Sequence, residues 1–153
     1  MRIAHRNQLR GDRSLRKGQI EMEFTKLSII PQSWAPSLQA VLRVMAAAAF
    51  MEHGTGKLLG FPHGLPFIDK MPSGLLYFTG GMELIGGALI VLGLFTRPVA
   101  FILAGFMAAA YFMAHFPMSF FPAINMGEPA ILFCFAFLYL AAAGPGPWAI
   151  DKD

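Results

Sequence analysis

Charge and cysteine are both scarce in this sequence. Of its 153 residues, 14% are Asp, Glu, Lys or Arg, against roughly 25% in an average soluble domain. The hydrophobic fraction is 56% and the mean hydropathy +0.54. A soluble core this short could not hide so much apolar surface, which argues strongly against a soluble globular domain. The single cysteine, Cys134, excludes an intrachain disulfide and a CxxC redox pair. It lies inside an apolar run and reads as a small buried hydrophobe. The chain has no CxxCH for haem attachment, no GxGxxG on a strand for a dinucleotide and no iron–sulfur cysteine set. Any electrons it handles would come from a partner or a cofactor that the sequence does not name.

What the sequence does have is long apolar runs. The clearest is residues 73–95, SGLLYFTGGMELIGGALIVLGLF, in which Glu83 is the only charged residue. At about 1.5 Å per residue, some 20 apolar residues match the hydrocarbon core of a bilayer. Gly80, Gly81, Gly86, Gly87 and Gly93 in that run would weaken a helix in water by ~1 kcal/mol each. In lipid, small residues let neighbouring helices approach closely. Gly80, Glu83 and Gly87 share one helical face, so the carboxylate is expected in a helix–helix seam, turned away from lipid. A carboxylate there costs at least ~2.5 kcal/mol on insertion scales and marks a candidate functional group.

Four spans follow: residues 37–60, 73–95, 98–116 and 128–143. The expected fold class is all-α, an integral membrane four-helix bundle with antiparallel up-down topology and both termini cytoplasmic. Pro62, Pro66 and Pro72 punctuate the loop after the first span, and Pro98 suits the first turn of the third. The fourth run is short, so it is expected to start earlier or to lie in locally thinned lipid. Residues 1–33 hold seven of the 12 Lys and Arg. They read as a solvated cytoplasmic tail that sets topology, not as a nucleic-acid-binding arm, and are too polar for a signal peptide. Met22 is an alternative start. The domain proper is residues 34–153. Basic residues at Arg97 and Lys152, against Lys70 alone outside, fix the orientation by the positive-inside rule, and Trp148 reads as an interfacial anchor.

In that topology Glu52, His53 and Lys57 lie in the outer half of the first span, Glu83 roughly midway along the second, His115 at the outer end of the third, and Asn125 and Glu128 at the outer start of the fourth. Arg43 and Arg97 lie close enough to the inner interface to snorkel. This sorting predicts a polar pocket opening outward. His53 and Lys57 share a face, as do Ala100, Ala104, Ala108, Tyr111 and His115.

At this point the sequence resembles the DoxX family of small four-span membrane proteins. The matching pieces are Arg43, His53-Gly54-x-Gly56-Lys57, Glu83-x-x-Gly86-Gly87 with Gly93-Leu94, Arg97, Glu128, and the tail Gly144-Pro-Gly-Pro-Trp148-x-x-Asp151. The likeness runs over residues 37–151. It implies a link to membrane redox chemistry: some relatives are subunits of thiosulfate:quinone oxidoreductase, and others are proposed to work with thiol- and superoxide-detoxifying partners.

Four readings of the polar residues follow. They could be an ion-pair network in which Lys57 or Arg43 neutralises Glu52, Glu83 or Glu128. They could form a redox pocket for a quinone, with Glu83, His53 and His115 as catalytic proton donors and Glu52, Lys57, Tyr77, Tyr111, Asn125 and Glu128 lining the substrate site. A metal site from His53, Glu83, His115 and Glu128 is disfavoured, because the paired Glu-x-x-His spacing is absent. A proton relay or small-solute transporter is the last, although no inverted repeat is visible. The expected setting is the bacterial inner membrane. The partners are the bilayer and a redox protein, and the glycine face of the second span permits a homo-oligomer. The rival class is a non-enzymatic scaffold that recruits partners.

Overall fold

A computed structural model describes residues 29–65 and 68–152. The basic segment up to residue 28, and with it the alternative start at Met22, lies outside the described residues, as does Pro66. The chain divides into two units, Met1–Ala35 and Pro36–Asp153. The described part of the first holds a 3-10 turn, Gln32–Trp34. The rest is built on α1 (Ala35–Leu59), α2 (Ser73–Leu92), α3 (Thr96–Ala110) and α4 (Glu128–Ala143). A π-helical turn, Tyr111–His115, continues α3, and a single helical turn, Pro122–Asn125, precedes α4. No strand occurs among the described residues. Among the described residues, three helical stretches are long and apolar enough to cross a membrane: Gln32–Leu59, Ser73–Leu92 and Thr96–His115. The chain is an all-helical membrane protein.

Helix α2 stops three residues short of the expected end, and the reason is local. Gly93 takes φ +65°, which glycine adopts without steric cost. Its N–H donates to Ile90 O, and the N–H of Leu94 donates to Leu89 O. This pair of bonds closes a helix whatever the hydropathy of the next residues. Gly93 is also crowded: a Cβ there would lie 2.4 Å from the Cβ of Ala149. Phe95 then adopts φ +51° and Thr96 opens α3, two residues before the expected start. The fourth run does not begin earlier as one helix. Met126 turns left-handed (φ +56°) and separates the short turn from α4.

The helices meet around Phe50 of α1. Its ring packs edge-on against Phe106 of α3 and against Phe133 and Phe137 of α4, with centroids 6.4, 5.5 and 5.0 Å apart. Ala47, Ala100 and Ala104 are buried beside it and let the backbones close in. Between α1 and α2 the approach is tighter still. A Cβ on Gly54 would lie 2.6 Å from the backbone nitrogen of Leu84, so only glycine fits. By contrast Ile85, Phe101, Phe112, Leu132 and Phe135 are exposed, as expected of side chains that face lipid.

The end at which α2 passes into α3 is tied by polar side chains. Arg43 does not snorkel; it is fully buried. Its guanidinium donates to the carbonyls of Ile90 and Val91 in the last turn of α2, and to Pro145, Pro147 and Trp148 of the C-terminal segment. A planar fork with five N–H groups suits this cage, and its charge suits the negative end of the α2 dipole. Arg97 donates to the carbonyls of Ala141 and Ala142 at the end of α4. Gln39 donates to Gly144 O. The Asp151 carboxylate accepts the N–H groups of Phe95 (2.9 Å) and Thr96 (2.7 Å), capping α3. Backbone bonds from Ile150 N to Leu92 O and from Asp151 N to Gly93 O complete the stitch.

Arg43→Met leaves these carbonyls without their donor. It is expected to cost at least ~3 kcal/mol in detergent-solubilised unfolding, with Arg43→Lys recovering only part. Asp151 supplies a pH dependence. The Thr96 N–H first, then the Phe95 N–H and the Arg43 charge, hold its carboxyl below the ordinary value of 3.8. A lowered folded-state pKa gives stability that is present above that ordinary value and is lost as pH falls from there through the lowered one. Melting curves across this acid range should fall more steeply for the wild type than for Asp151→Asn.

Candidate functional site

The buried acidic group the sequence singles out is at the centre of the one salt bridge among the described residues. Lys57, in the last turn of α1, points its ammonium at Glu83 of α2, with Nζ to Oε1 at 2.6 Å. Both side chains are largely removed from the surface, Glu83 to 7% exposure. Glycine makes the pairing possible. Gly54 and Gly80 bring the two backbones close, and Gly80 faces the side chains of Lys57 and Leu58. Glu83 Oε2 is buried as well and has no hydrogen-bond partner. Buried carboxylate oxygens are normally engaged, so an unengaged one is an open acceptor position.

The remaining candidates fall into different surroundings. His53, one turn before Lys57, is half-buried, its ring edge-on to Phe133 with centroids 6.1 Å apart. Tyr111, His115 and Asn125 form a second polar grouping at the far end of α3. The Tyr111 and His115 rings stack at 6.4 Å, and His115 Nδ1 lies 3.0 Å from Asn125 O. Asn125 is 1% exposed; its Nδ2 donates to Ser119 O, and its Oδ1 accepts the N–H of Gly127. That side chain holds the α3–α4 connection together. Glu52 and Glu128 are exposed. Tyr77 is exposed and borders a groove of about 460 Å³ between α2 and α3, whose other walls include Phe78, Met82, Ile85, Leu89 and Leu103. Among the described residues, no three His, Cys, Asp or Glu side chains gather in a way that could hold a metal ion.

The structure thus joins Lys57 with Glu83, and Tyr111 and His115 with Asn125. Sequence reasoning missed Ser119 and Gly127, which complete the second grouping. The cue available was Gly127 itself, where a Cβ would meet Tyr111 Cε2 and Asn125 Oδ1, each at 2.6 Å.

A direct test of the first grouping is a double-variant cycle. Lys57→Met strands the Glu83 charge and is expected to cost ~3–5 kcal/mol, whereas Lys57→Met with Glu83→Leu regains most of it, because an apolar pair of similar volume can replace a buried ion pair. Losses that simply add in thermal denaturation would mean that the two side chains do not act as a pair.

Comparison with known proteins adds the following. The profile of the DoxX family matches residues 38–116. A Haemophilus influenzae protein described only as uncharacterized is 40% identical over 79% of this chain and 93% of its own length. The Escherichia coli protein named inner membrane protein YqjF is 30% identical over 73% of this chain and 88% of its own. A Bacillus subtilis protein named "Putative oxidoreductase CatD" is 36% identical over 42% of this chain and 49% of its own. No solved structure gives a significant match.

Proposed function

The chain belongs to the DoxX family, and we propose on that footing that it is a four-span protein of the bacterial inner membrane that serves a quinone- or thiol-linked redox system as subunit or accessory. The spans form an antiparallel bundle with both termini cytoplasmic. Support for antiparallel α3 and α4 comes from their contacts: Arg97 reaches Ala142, while Tyr111 meets Gly127. Support for the orientation comes from the placement of Lys and Arg, and support for the inner membrane from the name of YqjF. The name of CatD points toward oxidoreduction.

The observation that carries the redox reading is the Lys57–Glu83 pair. One carboxylate oxygen holds the ammonium and the other is buried and open. A carboxylate so placed can take a proton, or a hydrogen bond from a substrate, at its second oxygen, while Lys57 fixes its orientation. His53 on the same face of α1 is the next group able to pass a proton. The fit to a quinone is partial. The groove between α2 and α3 suits an apolar ring or tail, and Tyr77 gives its wall a hydroxyl. Glu83, however, faces α1 from the other side of α2, so no proton step is routed from it to that groove.

Glu83→Gln removes the charge and nearly keeps the shape. Membranes carrying it are expected to lose at least tenfold of the quinone-analogue reduction that depends on the protein, with an unchanged helical signal at the assay temperature, although the stranded Lys57 charge lowers the melting temperature. A folded variant with full activity overturns the catalytic part. A variant that fails to fold would make the pair a structural tie between α1 and α2 and favour the scaffold reading.

A further inference from the structure

The connection between α3 and α4, residues 116–127 (FPMSFFPAINMG), carries no Asp, Glu, Lys or Arg. An ordinary water-facing loop would be polar. Here Phe120 is 73% exposed and Ile124 69%, and Phe116, Met118, Phe121 and Met126 are exposed too. Phe112, Phe116, Phe120 and Phe121 form a ladder of ring contacts, with successive centroids 5.8, 6.3 and 5.5 Å apart. Single exposed apolar residues need no explanation, but a contiguous patch marks a surface that meets something apolar.

Depth argues for what that is. Thr96–His115 spans 20 residues, about 30 Å at 1.5 Å per residue and enough to cross the hydrocarbon core. Helix α4 has 16 residues, about 24 Å, and falls short by more than a turn. The two helices are level at Arg97 with Ala142, and again at Tyr111 with Gly127. The last turn of α3 therefore runs past the start of α4, and residues 116–127 fold back beside it, at a depth that a full-length fourth span would have occupied.

Most backbone N–H groups of this segment have acceptors within the protein, those of Ser119, Phe120 and Ala123 being the exceptions. Within hydrocarbon, an N–H without a partner costs several kcal/mol. Pro117 and Pro122 have none to satisfy. The N–H of Phe116 donates to Tyr111 O, Met118 to His115 O, Phe121 to Ser119 Oγ, Ile124 and Asn125 to Phe121 O, and Met126 to Pro122 O. Gly127 donates to Asn125 Oδ1. The buried Asn125 and the Tyr111–His115 turn thus make a polar inside for a loop whose outside is aromatic and aliphatic.

We propose that residues 116–127 are a lipid-embedded cap: a re-entrant connection that rests in one leaflet at the boundary of headgroups and acyl chains, with Phe116, Phe120, Phe121 and Ile124 inserted among the lipid tails. The proposal rests on the reading of α4 as a membrane span. Its occupant is the bilayer itself, and the absence of charge over the whole segment favours lipid over an aqueous protein partner.

The test uses tryptophan as a depth probe in the full chain. On a Trp34→Phe, Trp148→Phe background, Phe120→Trp and Ile124→Trp are made separately, with Phe135→Trp, mid-way along α4, as the reference. Each is reconstituted in phosphatidylcholine vesicles with or without bromine near the headgroup end of the acyl chains, and titrated with aqueous iodide. Both loop probes are expected to emit at blue-shifted wavelengths, to be quenched by brominated lipid at least half as strongly as the reference, and to resist iodide. Quenching by iodide without quenching by bromine would place the loop in water and overturn the proposal. Resistance to both would mean that a polypeptide, such as a second copy of the chain, covers the loop, and would also overturn it. A reference probe untouched by brominated lipid would instead remove α4 from the membrane, and the proposal with it.

Discussion

Inside a bilayer no water is at hand to complete a hydrogen bond, so every place where a helix stops must find its partners within the protein. That constraint explains most of the polar side chains in this structure. Arg43 gives its fork to the last turn of α2 and to the C-terminal segment; Arg97 serves the end of α4; Asp151 serves the start of α3. Asn125 does the same for the connection into α4. These groups are placed where regular backbone ends, and their first duty is to the fold.

Lys57 and Glu83 differ in kind. Lys57, from the last turn of α1, and Glu83, from the middle of α2, bond to each other and not to the carbonyls or N–H groups that a helix end leaves open. Burying the pair brings a desolvation penalty that a hydrophobic pair would avoid. The second oxygen of Glu83, left open, adds to the cost without an evident structural return. This contrast with Arg43, whose N–H groups are spent on carbonyls, separates a candidate working group from a structural one by its hydrogen bonds alone.

Much of this was legible in the sequence. The four apolar runs, the shared face of Gly80, Glu83 and Gly87, and the availability of Lys57 as partner all follow from helical periodicity and from the penalty on a lone buried charge. Helix ends were less legible, because hydropathy has no term for a left-handed residue: Gly93, Phe95 and Met126 each turn the chain inside an apolar stretch. The expectation that Arg43 would snorkel erred for a similar reason. Its distance from the interface was readable, but the C-terminal carbonyls that it binds are about 105 residues away in sequence and only the folded chain brings them close. The expectation of one outward chamber spoke of depth along the helices, whereas the structure speaks of side-chain neighbours. His53 and His115 belong to different helices, and their ring neighbours are Phe133 and Tyr111 respectively.

The hold of Arg43 on Pro145, Pro147 and Trp148 has a bearing on biogenesis. A ribosome makes residue 43 long before residue 148. Until the later segment has emerged, the guanidinium lacks three of its carbonyls and the first turn of α3 lacks the carboxylate of Asp151. The first three helices must therefore enter the membrane with that corner unfinished, and the last step of assembly is the closing of the C-terminal segment over it, much as a keystone is set after the arch stones are in place.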